Sequence, residues 1–236
     1  MEPEVYALMI TGKDEKRIKF ARDIGVPNFD EQTYKNKKMI IINENNTKVL
    51  TQPRADIYEL QINRNNLSLG DMRNLSLEMV PLNAVFYIHD DDDYRPAHYL
   101  KYLVTELLKQ KAFAVFIKNR LEYNLANGYM FKHRFENGTT HLLCRKLDKL
   151  RYLNKDTLED TELVHDLSKF KKKYIILEND SRMYLRIIHG DNTSPFAVSS
   201  RNSIKAYDRN DPYKEFEVNE IERKYVKNII SKYYLI

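Results

Sequence analysis

The stretch Val85–Leu100 reads VFYIHDDDDYRPAHYL, and in it a short apolar run leads directly into four consecutive aspartates. The apolar residues predict a buried strand, and the residues from Pro96 onwards have the spacing of a helix. Four adjacent carboxylates repel one another, and burying each of them costs several kcal/mol. The sequence therefore predicts a positively charged partner at the carboxyl end of this strand.

Strands and helices alternate around this stretch. Apolar runs predict strands at 5–11, 37–43 and 83–89, and helical spacing predicts helices at 13–25 (ended by Gly25), 68–80 and 96–110. This alternation indicates crossover connections and a mostly parallel sheet. In such sheets a ligand binds beyond the carboxyl ends of the strands. Because Thr11–Gly12, Asn43–Glu44 and Asp90–Asp93 all lie at such ends, we expect a binding crevice there.

The second half of the chain is less regular. The pattern predicts a strand leading into a turn at 112–124, a hairpin at 128–146 that turns at Asn137–Gly138, a helix at 157–170, and a strand followed by a polar loop at 184–194. Ile221, Tyr225 and Ile229 form one stripe near the end of the sequence. Such a stripe predicts an amphipathic helix that packs on the chain's own domain.

The composition is that of one large α/β domain, or of one domain and a tail, with 236 residues of which 42% are hydrophobic. A net charge of +5 permits anionic partners, but apart from Lys169–Lys173 the basic residues are scattered. Cys144 is the single cysteine, and HLLCRK predicts a strand with a buried, unreactive thiol. No apolar run has membrane-spanning length, and the acidic start is unlike a signal peptide. We expect a cytoplasmic protein in a reducing compartment, without a membrane span.

Hard cations with oxygen ligands explain the aspartate run best. Mg²⁺ and Mn²⁺ bind one or two protein carboxylates and complete their coordination with water and phosphate oxygens. An Asp-x-Asp spacing at a strand end lets two carboxylates converge, and both Asp90 with Asp92 and Asp91 with Asp93 have this spacing. The alternative is a solvated acidic loop.

Five segments, taken in order, resemble family 2 glycosyltransferases with the GT-A fold, close to those of large DNA viruses. They are VYALMITGKD, FDEQTYKNKKMIIINE, LGDMRNLSLEMVPLNAVFYIHDDDDYR, TLEDTELVHDL and IIHGDNTS, which together extend from Val5 to Ser194. The resemblance implies a Rossmann-like mixed, mostly parallel sheet flanked by helices in a GT-A domain at 1–200. A C-terminal loop and amphipathic helix at 201–236 would pack on that domain.

The resemblance also implies a nucleotide-diphosphate sugar as donor, Mn²⁺ or Mg²⁺ as cofactor, and a glycan, protein or lipid as acceptor. Asp92 would bind the metal directly, Asp90 would share that role, and Asp91 would face the ribose. His189 would be a further metal or diphosphate ligand. The alternative for His189 is a strand-end histidine bonded to the backbone.

The resemblance implies a separate set of residues that would contact the nucleotide base. Thr11 and Gly12 would cradle the base, and Arg73 would contact the diphosphate or the base through its planar guanidinium. The family usually has an aspartate after the second strand that accepts from the base, whereas this chain has Asn43 followed by Glu44. Uracil and guanine therefore both stay open, with UDP preferred over GDP.

The transfer reaction needs a base that takes the proton of the acceptor hydroxyl. The resemblance implies Asp160 for this role, with Glu159 second, and an inverting reaction by single in-line attack. The polar segment Thr193–Pro212, in which Ser199, Ser200 and Arg201 could reach the diphosphate, is expected to be an active-site lid or a fixed surface crossover.

Two other functions compete with this interpretation. One is a nucleic-acid or polyanion binding module, which the basic charge suggests but which the aspartate run opposes, because it would repel phosphate without a metal. The other is a sugar nucleotidyltransferase, which usually carries a Gly-rich loop after the first strand. The segment TGKDEKR after that strand contains only Gly12. We expect no nucleic acid as partner.

Overall fold

The computed structural model describes residues 2–63, 66–134, 142–156, 161–189, 214–216 and 218–234. The strands in these ranges are β1 (Val5–Thr11), β2 (Lys37–Asn43), β3 (Ile57–Gln61), β4 (Val85–Ile88), β5 (Ala114–Ile117), β6 (Asn119–Asn124), β7 (Met130–Arg134), β8 (Leu142–Arg145), β9 (Tyr174–Leu177), β10 (Leu185–Ile188) and β11 (Lys214–Phe216). The helices there are α1 (Glu15–Phe20), α2 (Val26–Asp30), α3 (Leu69–Glu78), α4 (Tyr99–Lys109), α5 (Thr161–Lys169) and α6 (Glu220–Tyr233).

A seven-stranded sheet in the order β3-β2-β1-β4-β8-β5-β9 organises the described part of the chain. Its strands pair in parallel except at β8, which is antiparallel to both β4 and β5. Successive side chains of β1 point to opposite faces, so Met9 packs toward α4 while Leu8 packs toward α3 and α5. The predicted α/β class with a mostly parallel sheet flanked by helices is confirmed.

A second sheet lies beside the first, in the order β10-β6-β7-β11 among the described residues. The last helix, α6, packs on it through Val226, Ile230 and Tyr233, next to Leu121 of β6. Ile221, which the sequence pattern assigns to the buried stripe, is instead 67% exposed, because the buried face of α6 is rotated toward those three residues. Within the described ranges, no helix is both long and apolar enough to cross a membrane.

The helix predicted at 13–25 does not end at Gly25. After α1 the backbone passes through a π-helical turn at Ala21–Gly25 and continues directly into α2. Gly25 has helical dihedral angles, and a side chain there would come within 2.8 Å of Met9 Sδ and 3.2 Å of Asp91 Cα. The absence of a side chain at Gly25 therefore allows the helix to approach the aspartate run closely. It does not mark the end of the helix.

The hairpin predicted at 128–146 is wrong in its described parts. Its first arm, β7, pairs with β6 and β11 in the second sheet, whereas its second arm, β8, lies between β4 and β5 in the first. The turn at Asn137–Gly138 lies outside the described residues. Cys144 of β8 is free and buried, and burial raises the pKa of its thiol, as expected for an unreactive cysteine.

Candidate active site

The carboxyl ends of three parallel strands meet at one edge of the large sheet. Thr11, the last residue of β1, is aligned with Asn43 of β2, and its hydroxyl donates to Asp91 Oδ2 at 2.6 Å. The backbone nitrogen of Glu44 donates to the carbonyl of Thr11 at 3.0 Å. The structure thus brings Thr11, Asn43–Glu44 and the aspartate run together, where the alternation of strands and helices predicts a crevice.

The four aspartates have different environments. The side chain of Asp90 is 28% exposed, whereas Asp91, Asp92 and Asp93 are buried. Asp93 accepts from the backbone nitrogen of Ile187 at 2.9 Å and from the hydroxyl of Tyr184, so it ties the run to β10. Asp90 is therefore the most accessible of the four to a ligand.

Arg17 is the positively charged partner that the aspartate run requires. It lies in α1, and its Nη1 donates to Asp92 Oδ2 at 2.6 Å while its Nη2 donates to Asp91 Oδ1. Sequence reasoning missed this residue. The signal that could have found it is topological, because α1 follows β1 and β1 is the parallel neighbour of β4, so the start of α1 must lie beside the aspartates.

His189 contacts the same oxygen of Asp92 as Arg17 does. Its Nε2 is 2.7 Å from Asp92 Oδ2 and 3.3 Å from Arg17 Nη1, and its ring packs 4.9 Å from the ring of Phe20. The imidazole is thus directed at the aspartate run, and its role as a metal or diphosphate ligand stays a prediction.

Burial and charge act in opposite directions on the buried carboxyls. Burial raises the pKa of Asp91 and of Asp93, and the neighbouring carboxylates add to that shift. Burial also favours the neutral form of Asp92, but Arg17 and His189 outweigh it and hold the pKa of Asp92 below its usual range. Asp92 is therefore the buried carboxylate whose ionised form the site stabilises most.

A divalent cation is compatible with these donors only in place of Arg17. A carboxylate oxygen and an imidazole nitrogen, both of them ligands of Mn²⁺, converge at Asp92 and His189. Arg17 Nη1 lies against both atoms. Within the described residues, no group of three or more His, Cys, Asp or Glu side chains is arranged to hold a metal ion.

The loop after β2 forms the other wall of the site. Asn43 is buried, and its amide donates to Glu59 Oε1 at 2.7 Å and to the carbonyl of Thr47 at 2.9 Å, while its oxygen accepts from Asn45 N. The amide of Asn43 therefore holds the loop itself. Glu44 is half-buried beside it.

Gly12 lets the β1 and β2 loops touch. Its φ is +98°, and a Cβ atom there would overlap Asn43 Oδ1 and lie 2.8 Å from the backbone nitrogens of Glu44 and Asn45. Gly12→Ala should therefore lower the free energy of unfolding by more than the about 1–3 kcal/mol that a positive φ costs. Gly128→Ala is the matched control, since φ is +71° there but the nearest atom is 3.8 Å away. Equal losses in urea unfolding would contradict the close approach.

Arg73 reaches the site from α3, which begins with a capping box between Ser68 and Asp71. Arg73 Nη2 is 3.9 Å from Asp90 Oδ1, and its guanidinium lies over the ring of Tyr152. Asn74 exchanges two hydrogen bonds with the backbone of Tyr152, at 2.8 and 3.0 Å. Asn74 therefore fixes the loop against which Arg73 packs.

Two further residues at the site were missed from the sequence. Tyr234, just after α6, donates its hydroxyl to the carbonyl of Asp92 at 2.7 Å. Arg95 is buried, bonds the carbonyl of Ile88 at 2.9 Å and lies 3.5 Å from Asp90 Oδ2. Tyr234 thus holds the backbone of the aspartate run, and Arg95 links the end of β4 to the side chain of Asp90.

The remaining predicted residues lie outside the described part of the chain. These are Glu159 and Asp160, which directly precede α5 in the sequence, and the segment Thr193–Pro212 with Ser199, Ser200 and Arg201. Their roles stay predictions.

The fold is the GT-A fold, and solved structures of that class superpose on the chain. S. aureus TarS 1–349 in complex with UDP-GlcNAc matches with a TM-score of 0.61 and 12% identity, over 80% of this chain and 60% of that chain. Mannosyltransferase PcManGT from Pyrobaculum calidifontis, in complex with GDP-Man and Mn²⁺, matches with a TM-score of 0.61 and 12% identity, over 82% of this chain and 59% of that chain.

At such identities the likeness establishes the fold alone. The matched structures are also longer, and this chain covers 60% or less of each of the two. No protein-family model matches the sequence, and no curated protein matches it either.

Proposed function

We propose that the chain is a glycosyltransferase that binds a nucleotide-diphosphate sugar at the carboxyl ends of β1, β2 and β4. One observation carries the proposal: in a GT-A fold, the Thr11–Gly12 loop, the Asn43–Glu44 loop and the aspartate run close around one edge of the sheet. Two structures with this fold were solved with UDP-GlcNAc and with GDP-Man. The same strand ends are where open α/β sheets bind their ligands.

The nucleoside would lie over the two loops, which touch at Gly12. Glu44 is the acidic side chain there that could accept from the base. Asp90, as the most exposed aspartate, is the better candidate for the ribose hydroxyls, since Asp91 is buried and bonded to Thr11 and Arg17. We keep UDP ahead of GDP, as in the sequence-based prediction.

The diphosphate would lie over the aspartate run, where Arg73 and Arg17 provide positive charge. A bound Mn²⁺ or Mg²⁺, held by Asp92 and His189 in the place of Arg17, would supply further positive charge to the departing diphosphate. Asp90, which was predicted to share this role, is here assigned to the ribose. Support for a divalent ion comes from the donor atoms of Asp92 and His189 and from the neighbour solved with Mn²⁺.

The acceptor hydroxyl would attack the anomeric carbon in line with the leaving diphosphate and invert its configuration. Asp160 is proposed as the base that takes the hydroxyl proton. Asp160 directly precedes α5 in the sequence, and the positive end of a helix dipole would stabilise its ionised form.

Nucleotide binding tests the proposal directly. UDP or GDP at 100 times its dissociation constant should stabilise the whole chain by about 2.7 kcal/mol, which corresponds to roughly 5–10 °C in thermal unfolding. UDP-GlcNAc and GDP-Man should act likewise, and each ligand is measured with Mn²⁺ and with EDTA.

Two further measurements test the competing functions. Stabilisation by heparin or an RNA oligomer but by no nucleotide would identify a polyanion-binding module. Release of pyrophosphate from UTP and a sugar 1-phosphate would identify a nucleotidyltransferase. Either result would overturn the glycosyltransferase proposal.

A further inference from the structure

Arg17 bridges the most buried part of the site. It lies in the first helix, whose N-terminus is capped by the side chain of Asp14, and it contacts Asp91, Asp92 and His189 at once. The side chain of Arg17 is 19% exposed, while those of Asp91 and Asp92 are almost fully buried. The guanidinium therefore covers Asp91 and Asp92 on the side nearer to solvent.

The position of Arg17 Nη1 excludes a second cation. It is 2.6 Å from Asp92 Oδ2 and 3.3 Å from His189 Nε2. A Mg²⁺ ion would stand about 2.0–2.1 Å from an oxygen ligand, so an ion shared by Asp92 Oδ2 and His189 Nε2 would lie against the guanidinium. Two positive charges at that separation repel strongly in a buried site.

We propose that Arg17 is the resident cation of the aspartate run and that it competes with a divalent ion for Asp92 and His189. In the free protein the guanidinium neutralises the buried carboxylates. A divalent ion binds only when Arg17 leaves, and the diphosphate of a donor is the ligand that would draw it away, because guanidinium binds phosphate oxygens in a bidentate manner. Only this last step rests on the proposed function.

Binding of Mn²⁺ to the full chain without nucleotide tests the competition. Titration followed by the electron paramagnetic resonance of free Mn²⁺ should show at least about tenfold tighter binding to Arg17→Gln than to the unmodified chain. Arg22→Gln is the matched control, because Arg22 lies in the same helical segment but bonds the carbonyls of Lys48 and Val49. It should bind Mn²⁺ like the unmodified chain.

The double variant Arg17→Gln/Asp92→Asn locates the ion. It should lose the gain in affinity, and a gain that persists would place the ion elsewhere and overturn the proposal. Equal Mn²⁺ affinity of Arg17→Gln and the unmodified chain would overturn it as well.

Loss of Arg17 leaves two buried carboxylates without this partner, so the stability of Arg17→Gln is followed by thermal unfolding in EDTA and in Mn²⁺. If the variant is unstable in EDTA, Mn²⁺ should raise its unfolding temperature more than that of the unmodified chain, and equal shifts would contradict the competition. Tighter Mn²⁺ binding together with no binding of any nucleotide would leave the competition standing and refute the proposed function alone.

Discussion

Replacement of Asp160 by Asn should lower the rate of sugar transfer by on the order of 10²-fold or more, while the affinity for the donor changes little. The two side chains have nearly the same shape, but an amide cannot take a proton from the acceptor hydroxyl. The rate is measured with the donor identified by nucleotide binding, and the affinity by calorimetry.

Glu159→Gln is the matched control for this prediction. It removes an adjacent carboxylate of the same sequence segment, and it should leave the rate within a few fold of the unmodified enzyme. The reverse outcome, with Glu159→Gln inactive and Asp160→Asn active, would assign the base to Glu159. If neither variant is impaired, the base lies outside this pair.

Local sequence patterns predict the large sheet well. β1 and β2 have the same bounds as predicted, because each contains a central apolar run, a pattern typical of a strand buried on both faces. The alternation of strands and helices predicted that Thr11, Asn43 and the aspartates meet at one edge of the sheet. This edge is a consequence of parallel topology and needs no knowledge of side-chain packing.

Non-local pairing could not be predicted in the same way. β7 and β8 lie on either side of an Asn-Gly dipeptide, which favours a hairpin, yet each strand finds its partners in a different sheet. The two edge strands of the sheet, β3 and β9, were also missed. The sequence of β3, IYELQ, lacks a continuous apolar run, and the apolar run of β9, YIIL, has only four residues. What decides these pairings is the space left beside β2, β4 and β5, which no local pattern contains.

The candidate site also has features that the sequence predicts and features that only the folded structure shows. A positive partner for the aspartate run follows from the cost of burying like charges, but the chain has 39 Lys and Arg residues and the sequence does not rank them. Arg17 is chosen by the geometry of α1 against β4, and Gly25 permits the close approach. Tyr234 reaches Asp92 only because α6 docks on the second sheet.

Replacing either of two adjacent aspartates by Ala should have a different effect. Asp92→Ala should abolish the Mn²⁺-dependent part of nucleotide-diphosphate binding while the chain stays folded, because Asp91 still accepts from Arg17 and the contact of Tyr234 with position 92 uses only the backbone carbonyl. Asp93→Ala should instead lower the free energy of unfolding by about 2–4 kcal/mol, because two buried donors lose their acceptor. These donors are the backbone nitrogen of Ile187 and the hydroxyl of Tyr184.

Both variants are compared by urea unfolding and by titration with UDP and GDP in Mn²⁺ and in EDTA. For folded Asp92→Ala the affinities in the two conditions should become equal, whereas folded Asp93→Ala should keep the difference that the unmodified chain shows. Metal dependence that survives in Asp92→Ala would remove Asp92 from the ligands. Unchanged stability of Asp93→Ala would mean that β10 does not depend on this carboxylate. Since the two residues are adjacent and carry the same charge, a difference between the variants must come from the different contacts of the two side chains.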